Sequence, residues 1–443
     1  MKIKISDHFT YTKLLKFTFP SIIMMIFTSI YGIIDGFFVS NYVGPTQFSA
    51  LNLIMPYLML FGILGFMFGT GGSALVAAIF GAGNEKRANR IFSLLIYILI
   101  IIGAVFTIVG ILIIRPVAIF LGASEQMLPY CVSYGTILML AIIPFMLQTT
   151  FQSFFVTAER PDLGLFVTVA SGVVNIVLDA LLVAKFQFGL EGAASATAIS
   201  QLTGGIIPLI YFALPNKSRL RLGKTKFEGR AVLQTCINGS SELMTNASLS
   251  LVNMLYNYQL MQLEGEAGVL AYGIIMYVNF IFISIFIGYS IGSCPIVSFH
   301  YGAENKNELK NLLKKSFTLI VIFSILLTLS AEFLAEPLAK IFVSYDKELL
   351  DLSKRGLMLY SISYTVTGFS IYGSAFFTAL NNGMVSALIS FARTLLFQII
   401  AVLILPLILG TDGIWLSIVF AETVSLFLTV FCFAKNKKRY GYI

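Results

Sequence analysis

Charge is what this sequence has least of. Asp, Glu, Lys and Arg make up 11% of its 443 residues, against about 25% in soluble domains. From Phe17 to Asn84 a single charged side chain occurs, Asp35. So thin a supply of charge argues against a water-soluble enzyme or binding module. Cysteine is scarce as well. Cys131, Cys236, Cys294 and Cys432 lie far apart and form no C-x-x-C pair, so they read as small apolar packing residues. The two histidines, His8 and His300, are widely separated and belong to no H-E-x-x-H pattern, and "GTGGS" at 69–73 lacks the lysine of a phosphate loop. No resident metal and no organic cofactor are expected.

What takes the place of charge is hydrocarbon. Hydrophobic residues reach 58% and the mean hydropathy is +0.89. Many apolar runs are long enough for a helix crossing about 30 Å of lipid, which predicts an all-α polytopic membrane protein. "MKIKISDHFTYTKLLKF" is polar and basic, and the run behind it exceeds the short core of a cleavable signal. The first helix is therefore expected to stay in the membrane. Reading apolar runs between charged or Gly/Pro-rich breaks gives twelve transmembrane helices, near 14–40, 50–80, 91–114, 128–155, 163–184, 190–214, 231–262, 268–301, 312–332, 348–379, 383–409 and 411–434.

The basic residues alternate between the two sides of that array. Arg115, Lys185, Lys340, Lys347, Lys354 and Arg355 fall on one side and Arg393 inside a span, while all other Lys and Arg fall on the second side. The positive-inside rule then puts both termini and the central "PNKSRLRLGKTKFEGR" loop in the cytoplasm. The formal charge of +8 reads as a topology signal spread over loops, with no nucleic-acid partner expected.

The two halves resemble each other. "IFGAGNEKRAN" ends the second span and "HYGAENKNELK" the eighth; "FGLEGAASATAISQ" opens the sixth and "LGTDGIWLSIVFAE" the twelfth. Gly81 and Gly302, Asn84 and Asn305, Gly189 and Gly410, and Gly192 and Gly413 all recur at one spacing of 221 residues. Two six-helix bundles of equal topology follow: an N-terminal lobe over 1–214, a basic linker over 215–230, a C-terminal lobe over 231–434 and a basic tail over 435–443. Parallel repeats of this kind flank a central cleft in alternating-access transporters.

Four carboxylates lie well inside spans: Asp35, Asp179, Glu242 and Glu422. An acidic group at a helix centre costs about 2.5 to 3.5 kcal/mol on insertion scales, so it calls for a function. Desolvation disfavours its charged form, which makes proton uptake available to a coupling site. Ser171, Asn175 and Asp179 repeat every four residues and share one helix face. On the first helix Pro20, Met24, Thr28, Tyr31 and Asp35 share another. Pro20 removes a backbone hydrogen bond and can bend that helix, so the stripe reads either as a mechanical switch or as a packing proline above a carboxylate held by an interhelical hydrogen bond. Glu242, Asn246, Ser250, Asn253 and Asn257 form a polar stripe suited to lining water or substrate, and Gln148 and Gln152 a shorter one. Arg393 and Glu422 are placed to pair within the second half.

Taken together, "FTFPSIIMMIFTSIYGIIDGFFVSNYVG", "FGAGNEKRA", "NIVLDALLV", "FGLEGAASATAISQ" and "LGTDGIWLSIVFAE" resemble the multidrug and toxic compound extrusion (MATE) family over essentially the whole chain, with features of its MepA-like bacterial branch. The resemblance implies twelve helices in two pseudo-symmetric bundles in a bacterial cytoplasmic membrane. It also implies a coupling-ion site in the first lobe, at Asp35, Asn175, Asp179 and Thr197, with Pro20 and Tyr134 matching a first-helix proline and a fourth-helix tyrosine. In some branches a seventh-helix Glu joins a tenth-helix Asp to hold Na+. Glu242 matches the former, but 356–379 contain no acidic side chain, which weighs against that second site.

The expected function is a multidrug efflux transporter, not an enzyme. It would export cationic or amphipathic organic compounds by H+ or Na+ coupled antiport, as a monomer in contact with membrane lipid, through a cavity involving Glu242, Asn246, Asn253, Asn257, Gln148, Gln152, Tyr31 and Thr28. The alternative is a lipid-linked oligosaccharide flippase of the wider superfamily. Such a protein calls for a cationic cavity, whereas Arg393 is the one Lys or Arg expected deep in the membrane, where carboxylates dominate.

Overall fold

A backbone in lipid must satisfy its own hydrogen bonds, and apolar runs of this length do so as helices. The computed structural model describes residues 3–343 and 346–442, with Pro45 described by its backbone alone; Lys2, one of the N-terminal basic residues, lies outside that range. Fourteen α-helices follow in order: α1 (Tyr11–Tyr42), α2 (Pro45–Gly81), α3 (Glu85–Phe120), α4 (Leu128–Leu140), α5 (Ile142–Thr157), α6 (Pro161–Leu178), α7 (Gly189–Ala213), α8 (Gly229–Gly302), α9 (Lys306–Phe342), α10 (Lys347–Ser361), α11 (Tyr364–Ala379), α12 (Gly383–Phe391), α13 (Phe397–Leu409) and α14 (Thr411–Tyr440). No strand occurs among the described residues.

Among the described residues nine helices are each long and apolar enough to cross a membrane; dividing α8 at its break and joining α4 to α5 and α10 to α11 groups the elements into twelve segments. α8 has 74 residues and would be about 110 Å long if straight, far more than a bilayer. Gly265, with φ 65° and ψ −147°, breaks it into two arms. α4 and α5 meet at a bend of 53° and count as one crossing. A π-helical turn, Asp179–Lys185, continues α6, and a second, Ala392–Leu396, joins α12 to α13. α10 and α11 follow each other across Ile362 and Ser363.

Three of the four repeated pairs have a clear structural task. Asn84 accepts from the Arg87 N–H at 3.0 Å and Asn305 from the Glu308 N–H at 3.1 Å, capping α3 and α9 alike. Gly189 and Gly410 both adopt φ 58°, a left-handed conformation in which glycine carries no Cβ penalty. Gly81 and Gly302 let α2 and α8 cross in backbone contact, since a Cβ on the first would overlap the Phe299 carbonyl and on the second the Ala78 carbonyl.

Buried apolar side chains form two clusters. One draws on residues from Val39 to Ala231; the other runs from Val252 to Tyr442 and also takes in Ile5, Phe9, Leu14, Phe17, Ile22, Ala74 and Val156. The start of the chain thus packs with the second half of the sequence. There it forms a strap across the bundle end. Ile5 N donates to Glu159 Oε1 at 3.2 Å, beyond α5, while Phe9 N donates to Glu308 Oε1 at 2.9 Å, on α9. Lys315 Nζ donates to the Phe9 carbonyl at 2.7 Å. His8 Nδ1 lies 2.6 Å from Glu308 Oε2, and His300 also sits near Glu308, so the two histidines meet in space. Among the described residues, no group of three or more His, Cys, Asp or Glu is placed to hold a metal. The strap, both termini and the basic linker share this end of the molecule, called here the basic end.

Candidate functional site

Two polar sites interrupt the apolar interior. The first lies within the first half. α1 brings Asp35, α6 brings Asn175, the π turn that follows α6 brings Asp179, and α7 brings Thr197. Asp35 faces the other three side chains. Asp179 is completely buried and Asn175 nearly so. Among the described residues, Asp35 Oδ1, both Asp179 carboxylate oxygens and Asn175 Nδ2 have no hydrogen-bond partner. Tyr134, itself buried, lies beside both carboxylates, and Tyr31 beside Asp35. Two facing carboxylates out of water repel each other, and a shared proton or a small cation relieves that repulsion. The oxygen-rich donor set of Asp35, Asp179, Asn175 and Thr197 suits either one.

The second site is a cavity of about 710 Å³ between the halves, walled by α2, both arms of α8, α11, the second π turn and α14. Glu242, Asn246, Ser250 and Asn253 line it along the first arm of α8, as their spacing predicts. Tyr272 donates from its hydroxyl to Asn253 Oδ1 at 2.7 Å and stacks on Tyr256, ring centroids 5.0 Å apart and planes 7° from parallel. Arg393 Nε lies 2.8 Å and 3.0 Å from the two carboxylate oxygens of Glu422, so the pairing expected from sequence is present. Glu242 has the Arg393 guanidinium at electrostatic range.

Five expected cavity residues lie elsewhere. Asn257 is exposed; the neighbouring Tyr256 takes the inward position, and successive helical residues point about 100° apart. Gln148 turns into the first half, where its Nε2 donates to Ser171 Oγ at 3.1 Å, which in turn donates to the Ser200 carbonyl at 2.8 Å. Gln152 is buried within α5, off the cavity wall. Thr28 donates back to the Met24 carbonyl at 2.9 Å, and Tyr31 packs against Gly172 of α6. The aromatic wall of Tyr256 and Tyr272 is not marked by the spacing of the polar stripe; its one signal is Tyr256, three residues after Asn253. Pro20 lies inside α1, which continues through it as one helix.

A family model named MatE matches the chain twice, over residues 20–181 and 243–404. The chain belongs to the MatE family. The two matches fall on the two repeated halves; the first ends within the first π turn, past Asp179, and the second contains the other. A multidrug export protein MepA of Staphylococcus haemolyticus (strain JCSC1435) is 24% identical over 421 residues, covering 94% of this chain and 92% of the relative. MepA of Staphylococcus saprophyticus is likewise 24% identical, over 420 residues, covering 93% and 90%. A solved structure of the outward-facing conformation of a multidrug resistance MATE family transporter of the MOP superfamily has a TM-score of 0.92 at 20% identity and covers 98% of both chains. The MatE fold is thus shared over nearly the full length.

Proposed function

We propose that this protein exports cationic, amphipathic organic compounds from a bacterial cell by alternating access, driven by inward movement of H+ or Na+. The observation that carries this reading is the facing carboxylates of Asp35 and Asp179, three of whose four oxygens are buried without a hydrogen-bond partner, held apart from a large cavity with aromatic walls. None of Asp35, Asn175, Asp179 and Thr197 lines that cavity. Ion and drug therefore occupy different sites, as exchange without direct contact requires. The names of the MepA relatives support drug export. The concentration of Lys and Arg at the basic end supports a cytoplasmic position for both termini.

In the described state the α2–α8 crossing and the strap close the basic end, and the cavity lies beyond that seal. A proton or Na+ reaching Asp35 and Asp179 cancels their repulsion and draws α1, α6 and α7 together. Pro20 leaves one backbone carbonyl of α1 without its helical partner, a weak point where the helix can bend. Because α1 packs on α8, its movement reshapes the cavity wall and releases the drug. One charge moving down 100 mV supplies about 2.3 kcal/mol, and one pH unit about 1.4 kcal/mol. The carboxylates Glu242 and Glu422 outnumber the single guanidinium on the cavity wall, which disfavours a flippase for anionic lipid-linked sugars.

The test is dye export in everted membrane vesicles with H+ and Na+ gradients imposed separately. Export is expected to follow one of the two gradients and to be lost in Asp35→Asn. Wild-type rates in Asp35→Asn would sink the coupling role.

A further inference from the structure

The described residues lining the cavity include three acidic or basic side chains: Glu242, Arg393 and Glu422. Their arrangement is unequal. Arg393 Nε contacts both oxygens of Glu422, and the pair is almost sealed, with side chains 11% and 1% exposed. Glu242 is partly exposed to the cavity. The wall thus presents one compensated carboxylate and one open carboxylate.

The backbone at this point supports a dedicated role for Arg393. It stands in the π turn Ala392–Leu396, and such turns are rare and frequent at functional sites. The other π turn in the described chain begins at Asp179, a member of the first-half carboxylate pair. In both halves the widened turn thus carries an intramembrane charge. The charge in the second half is a guanidinium, which stays protonated at any physiological pH.

We propose that Arg393 sets the charge selectivity of the cavity: by permanently neutralising Glu422 it leaves one net negative charge, that of Glu242, so the site takes organic monocations in preference to dications. This rests on the cavity being the drug path. A monocation placed against Glu242 leaves the cavity neutral. A dication leaves one positive charge uncompensated where water is scarce and Coulomb interactions are strong, or must compete with Arg393 for Glu422. A purely structural Arg393, joining the π turn to α14, would affect both kinds of ligand alike.

Ethidium and propidium share a phenanthridinium ring and carry one and two positive charges respectively. Their affinities for the purified full-length protein in lipid nanodiscs are read by fluorescence anisotropy. Wild type is expected to bind ethidium at least tenfold more tightly. Arg393→Met, which frees Glu422, is expected to move the affinity ratio at least tenfold toward propidium, while Arg393→Lys, which keeps the charge, retains the wild-type ratio. Removing one partner of a buried pair is costly, so a second arm stands apart from Arg393→Met. Glu422→Gln leaves Arg393 and Glu242 to cancel and should weaken ethidium binding at least tenfold, and the double variant R393M/E422Q should recover it. A ratio in Arg393→Met within twofold of wild type overturns the proposal, as does unchanged ethidium affinity in Glu422→Gln. If wild type binds neither dye, or Glu242→Gln leaves ethidium binding untouched, the cavity reading itself fails.

Discussion

The Ser29 hydroxyl of α1 donates to the Phe280 carbonyl of α8 at 3.1 Å. Ser29 lies on the helix that carries Asp35, and Phe280 lines the cavity. Nearby, a Cβ on Gly36 would come within 3.9 Å of the Tyr277 hydroxyl. The two polar sites do not touch, but the helices that bear them do. This contact is a direct route by which a change at Asp35 can reach the cavity wall.

Ser29→Ala removes that hydrogen bond and leaves both sites chemically intact. A hydrogen bond of this kind contributes about 1 kcal/mol, roughly fivefold in an equilibrium. Dye affinity measured by anisotropy should stay near wild type, while gradient-driven export slows by about that factor. Equal losses in affinity and rate would argue that the contact only holds the cavity in shape.

Asp35→Asn and Asp179→Asn should each make the protein more resistant to heat. Either change removes a like-charge repulsion that the described structure leaves without a counter-charge. The expected result is a rise in Tm in detergent of a few degrees, since about 1 kcal/mol shifts Tm by about 2–4 °C in larger domains. Export driven by the gradient is lost in the same variants. A fall in Tm would mean that the ionised pair is already compensated.

Gly302→Val tests the seal at the basic end. The new side chain would collide with the Ala78 carbonyl of α2, and overpacking of this kind costs about 1–3 kcal/mol. α2 and α8 must separate, and the basic end should open. Cys236, the most exposed of the four cysteines, reports the opening through faster maleimide labelling, read in a Cys294→Ala background because Cys294 lines the cavity. Labelling at the wild-type rate would show that the crossing is not the closure.

Glu308→Ala should release the strap. It removes the acceptor for Phe9 N and the partner of His8 and Asn311. Trypsin cleavage after Lys4 and Lys13 is expected to accelerate at least tenfold, with the remaining helices no more sensitive. Unchanged cleavage would mean that the apolar contacts of Ile5 and Phe9 hold the strap alone.

Much of this architecture is legible in the residues, for a physical reason: apolar length determines a membrane crossing almost without regard to detail. The broken helices are not legible. Apolar character runs unbroken through Ala141, where α4 and α5 bend, and nothing in the hydrophobic pattern registers the π turns at Asp179 and Arg393. Helical spacing grouped Glu242, Asn246 and Asn253 on one face, and that face does meet the cavity. The same rule grouped Gln148 with Gln152 but could not say which neighbour they meet, and Gln148 meets Ser171. The repeated glycines and asparagines marked a duplication before their tasks as caps, left-handed turns and close crossings were visible.

The strap also bears on how the chain is made. Ile5 pairs with Glu159 and Phe9 with Glu308, partners 154 and 299 residues further on. At about 5–20 residues per second of synthesis, Phe9 waits roughly 15–60 s for its acceptor. During that interval the first segment lacks its anchor on α9, and it docks there only once that helix has been made. The Glu159 anchor is thus available well before the Glu308 anchor, and a chain arrested before Glu308 emerges has only half of the strap's latch.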